Sequence, residues 1–113
     1  MMKYIIFIGT FLIFALAPTQ AAIVGSSTEK ATIATLYSYS DYGGGDVVFT
    51  ITTAVPGCDA GYWLRPTDPG FDRNLAAVMS AHLAGRPIIV LAHDDQLWSS
   101  SPGKYCRVNL VAI

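Results

Sequence analysis

Beyond residue 30 the spacing of apolar and polar residues changes along the chain, and each change marks an element. ATIATLYSY, residues 31–39, is rich in β-branched and aromatic side chains and predicts a first strand. DYGGGD, residues 41–46, supplies positions that tolerate positive φ, as a hairpin requires. In DVVFTITTA, residues 46–54, Val47, Phe49 and Ile51 alternate with Val48, Thr50 and Thr52, and this period of two predicts a strand with one greasier face. VPGCDAG has the composition of a turn, and GYWLRP predicts a short third strand closed by Pro66.

The period then lengthens. In TDPGFDRNLAAVMSAHLAGRP, Phe71, Leu75, Val78, Met79 and Leu83 form one apolar stripe at helical spacing. Asp68 is placed to cap this helix, Pro69 to occupy its first position and Gly85 to end it in a left-handed conformation. IIVLAH is a nearly continuous apolar run, which predicts a buried strand. SPGK, Ser101 to Lys104, fits a type II turn, and YCRVNLVAI is a last strand with Cys106, Val108, Leu110 and Ala112 on one face.

The start of the chain has a different character. MMKYIIFIGTFLIFALAPTQAA carries a cation at Lys3, an apolar run from Tyr4 to Leu16 and small residues at Thr19 and Ala21. This is the pattern of a secretory signal peptide over residues 1–21, the run being shorter than the ~20 apolar residues of a spanning helix. Residues 22–113 then form one small domain, secreted or periplasmic. The formal net charge is −1 and there is no basic run, which argues against nucleic acid and anionic membrane as partners. The even pair Cys58 and Cys106 in an exported domain predicts a disulfide. No metal or cofactor is expected, since neither cysteine belongs to a Cys-x-x-Cys motif.

The predicted order is three strands, a helix and two strands, a mainly β chain of the kind seen in small barrels of the oligonucleotide/oligosaccharide-binding (OB) type. The segment LAAVMSAHLAGRPIIVLAHDDQLW resembles the B subunits of subtilase cytotoxin and its relatives among the pertussis-type toxins. It is also similar to small exported bacterial proteins with a Cys, Trp-Leu, helix, Gly-x-x-hydrophobic layout. The resemblance implies a glycan or glycoprotein ligand, assembly into a homopentamer and a toxin A subunit as a further partner. The family's sugar-contacting hydroxyl residue has no counterpart that can be placed here.

Candidate chemistry is therefore read from the residues themselves. No Gly-x-Ser-x-Gly, His-Glu-x-x-His or phosphate loop occurs, and a non-catalytic role is expected. His93, Asp94 and Asp95 are expected in a solvated turn after IIVLA, and His82 in a half-buried packing role. Tyr37 and Tyr39 share one face of the first strand, and Tyr42 rides the turn beyond them with Ser38, Ser40 and Asp41 close by. Tyrosine joins an apolar ring to a polar tip, which suits a half-wet binding surface and an ordinary strand end alike. Trp63 is expected to fill the core. Trp98, followed by Ser99, Ser100 and Ser101, is expected to be partly exposed and able to stack on a sugar, the other reading being a tryptophan that covers the open end of the barrel. The candidate ligand-binding residues are thus Tyr37, Tyr39, Tyr42, Trp98 and Ser99. A protein-binding or inhibitor module without glycan specificity is the alternative.

Overall fold

The computed structural model describes residues 31–113, and the leader predicted over residues 1–21 lies outside them. The elements follow in the predicted order: β1 Ile33–Ser38, β2 Val47–Ile51, β3 Gly61–Leu64, α1 Phe71–Ala84, β4 Ile89–Leu97 and β5 Tyr105–Ala112. The strands form one sheet in the order β1-β2-β3-β5-β4, in which β3 and β5 are parallel and the other pairs antiparallel. The sheet does not close. Among the described residues one bridge, Ala31 to Ile88, draws the chain before β1 towards the chain before β4. The mainly β fold with one packed helix therefore holds, and the barrel holds as an order of strands rather than as a closed cylinder.

The core lies between one face of the sheet and α1. Phe49, Tyr62, Val90, Cys106 and Val108 meet Val78 and Ala81 of the helix there. Cys58 and Cys106 form the predicted disulfide with their Cα atoms 5.4 Å apart. Both half-cystines are buried, and the bridge fastens the loop before β3 to the start of β5.

Several local expectations are corrected. Met79 and Leu83 lie outside the apolar stripe, Leu83 being 84% exposed. Burial follows the i, i+3 row from Leu75 through Val78 to Ala81, where a small side chain lets the helix approach the sheet closely. Gly70 sits at the helix N-cap and no side chain of the described residues caps it, the Asp68 carboxylate being held by Arg65 and Arg107. Gly85 does end the helix with a φ of 64°.

β4 runs through His93, Asp94 and Asp95 instead of turning there. His93 pairs with Arg107 and Leu97 with Cys106, so residues 94–96 bulge from the ladder. A second bulge corrects β5. Ala92 pairs with Val108 and Leu91 with Leu110, leaving Asn109 unmatched. The face reverses after it, which turns Val111 to the core and leaves Leu110 41% exposed. Gly103 lacks the positive φ of a type II turn, and its N–H donates to Ser101 Oγ at 3.1 Å.

Candidate functional site

The glycine turn builds the site. Tyr42–Gly44 makes a short 3-10 turn, and Gly43, Gly44 and Gly45 all have positive φ. A Cβ on Gly43 would collide with the carboxylate of Asp46, so the bare backbone lets the turn fold down over that group. Asp46 is consequently only 5% exposed. Its Oδ2 accepts a hydrogen bond of 2.9 Å from Trp98 Nε1, which joins the β1–β2 loop to the β4–β5 loop across 52 residues.

Rings gather around this bond. The Tyr39 centroid lies 5.7 Å from that of Trp98, Tyr42 lies 5.9 Å from Trp98, and the two tyrosines are 5.9 Å apart. Tyr105 packs edge-on against Trp98 at 5.6 Å. Separations in this range with tilted planes are the favoured aromatic arrangement, each pair contributing about 0.5–1.5 kcal/mol beyond its buried area. Gly61 makes room for Tyr105. The two are cross-strand partners, and a Cβ at Gly61, where φ is 141°, would strike the Phe49 carbonyl and come within 3.2 Å of the Tyr105 ring.

The structure thus brings Tyr39, Tyr42 and Trp98 together. Tyr37 stands two residues back on the same face of β1, 47% exposed and outside these ring contacts, while Ser99 is exposed beside Trp98. Of the two readings of Trp98, partial exposure does not hold and burial agrees with the covering one. Trp98 is 8% exposed and forms the floor of the cluster, so that Tyr39 and Tyr42 present the accessible ring surface. Trp63 is corrected in the opposite sense: Tyr62 fills the core, and Trp63 lies half-buried with its Nε1–H donated to the Gln96 carbonyl at 2.9 Å.

The registers place Tyr37, Val48, Trp63, Arg107 and His93 in one row across all five strands, on the face opposite α1. Val48, flanked by Tyr37 and Trp63 in that row, is as buried as its core-facing neighbour Val47. Further along the sheet Arg107 binds Asp68 at 2.8 Å and the Gln96 side chain, while Arg65 binds the other Asp68 oxygen at 2.7 Å. This network ties β5, the β4 bulge and the approach to α1.

Asp46 and Tyr105 were not legible as site residues. Asp46 looks like the end of a turn, and nothing local announces its partner at Trp98. His82 is exposed rather than half-buried, and the Nδ1 of buried His93 has no hydrogen-bond partner among the described residues. The described residues contain no cluster of three or more His, Cys, Asp or Glu side chains arranged to hold a metal ion. No protein-family model, no curated protein and no solved structure matches the chain.

Proposed function

We propose that this is an exported, non-catalytic carbohydrate-binding protein whose ligand rests on Tyr39 and Tyr42 above Trp98. One observation carries the reading: aromatic side chains from two loops far apart in sequence converge on one surface, with Ser40 and Ser99, next in sequence to Tyr39 and Trp98, exposed. An exposed ring takes the apolar face of a pyranose while neighbouring hydroxyls bond its rim. The position agrees with this reading, because five-stranded folds of the OB type bind oligosaccharides with the β2–β3 face and the loops joining β1 to β2 and β4 to β5. The toxin B-subunit resemblance adds support of the same kind. A small wet site gains little after ordering costs, so self-association, as in a pentamer, would supply avidity.

A glycan array on the purified protein, run beside Tyr39→Ala/Tyr42→Ala, tests the proposal. Binding that is lost in the double variant is the expected result. Failure to bind any glycan overturns the function, and undiminished binding by the double variant overturns the site.

A second reading, a protein-binding module, draws on the opposite end of the molecule. An apolar cavity of about 350 Å³ lies there between the end of α1, the start of β4 and the end of β5, lined by Ala81, Ala84, Pro87, Ile89, Ala112 and Ile113. Ile113 of that lining and Leu83, next to Ala84, stand exposed, and apolar surface of this kind marks protein contacts. Sedimentation of the purified protein tests self-association; a strict monomer that ignores glycans favours this second reading.

A further inference from the structure

Asp46 is a poor choice if its task is only to receive an indole proton. Burying a carboxylate is costly unless it is well paired, and asparagine offers the same acceptor without the charge. Among the described residues the one hydrogen bond accepted by the Asp46 carboxylate comes from Trp98, a neutral donor, and no salt bridge reaches it. A second carboxylate, that of Asp41, lies exposed in the same glycine turn beside Tyr42. The cations of this face are differently committed. Arg65 and Arg107 are turned to Asp68, which leaves Lys104, exposed in the β4–β5 loop next to Tyr105, as the cation nearest the cluster in sequence.

We propose that the site recognises sugar units carrying a free amine, with the ammonium set against the exposed Tyr39 and Tyr42 rings, in the field of the buried Asp46 carboxylate beneath the turn and of the exposed Asp41 carboxylate. The inference rests on the sugar-binding reading and deepens it from carbohydrate in general to amino sugars. Two effects act in one direction. The faces of exposed tyrosine rings attract a cation, and a neighbouring carboxylate strengthens that attraction, more so where burial has removed water from around it. An acidic sugar meets the reverse of both.

The test holds chain length constant and varies charge. Calorimetric titration of the protein with the glucosamine tetramer, its fully N-acetylated counterpart and tetragalacturonate should give the amine form about tenfold the affinity of the acetylated form, as a charge-assisted contact implies. The acidic tetramer should bind weakest. The ratio of the first two affinities should fall towards one in Asp46→Asn, and should shrink in Asp41→Asn and at high salt. Asparagine can still accept the Trp98 proton, so a retained Trp98 indole N–H resonance shows that the Asp46→Asn protein keeps the cluster. Equal affinities for the amine and acetylated tetramers, or a preference that survives both substitutions, overturns the amine inference while leaving sugar binding standing. Failure of all three tetramers to bind, together with an empty glycan array, overturns both.

Discussion

Two buried polar side chains set the behaviour of the molecule at the scale of single residues. Tyr62 is fully buried against Phe49 with its hydroxyl unpartnered among the described residues, and burial pushes the phenol up to about 12. In the unfolded chain a tyrosine ionises near 10. Stability associated with Tyr62 is therefore fully present below pH 10 and is lost as pH rises through the folded value, a fall on the order of 2 kcal/mol. Denaturant unfolding at pH 8 and at pH 11.5 should show that loss, and Tyr62→Phe should reduce it while being neutral or slightly stabilising at pH 8. A Phe variant much less stable than the parent at pH 8 would mean that the hydroxyl has a partner. Asp46→Ala should cost roughly 1–3 kcal/mol, because it strands the buried Trp98 N–H, and Asp46→Asn should cost less. The tyrosines were legible in sequence since a two-residue spacing and a glycine turn are local signals. The Asp46–Trp98 bond was not, because its ends lie 52 residues apart.

At the scale of elements, pattern located every strand and the helix, and failed where a tertiary contact changed which face is buried. The run through Leu75, Met79 and Leu83 looks like a helical stripe, yet the helix turns its i, i+3 row to the sheet and uses Ala81 as the contact. A chemical denaturation series separates the two rows. Met79→Lys/Leu83→Lys should change stability by no more than about 0.5 kcal/mol, as for exposed positions, whereas Val78→Ala should cost roughly 1–3 kcal/mol through lost burial and a residual cavity. The face reversal at Asn109 and the bulge at residues 94–96 carry the same lesson. A bulge shifts the period by one or more residues, and its position depends on the partner strand, which the strand's own sequence does not contain.

For the whole molecule, the disulfide and the paired loops act as two clamps on an open sheet. The bridge closes a sequence separation of 48 residues. Cys58→Ala/Cys106→Ala should lower stability by about 2–4 kcal/mol, seen as an earlier denaturation midpoint, if the bridge chiefly restricts the unfolded chain. The order of elements and the disulfide followed from sequence because each rests on composition and spacing. The gap between β1 and β4 did not, since closure depends on strand tilt and stagger set by the assembled sheet. The functional account rests on the second clamp, where two distant loops present one aromatic surface. Its most direct test is amide and indole chemical-shift mapping during titration with the glucosamine tetramer. The account predicts shifts concentrated in residues 39–46 and 98–105, including the Trp98 indole proton, with the Trp63 indole unmoved. Shifts centred on α1 and the end of β5, or no shifts at saturating sugar, would contradict it.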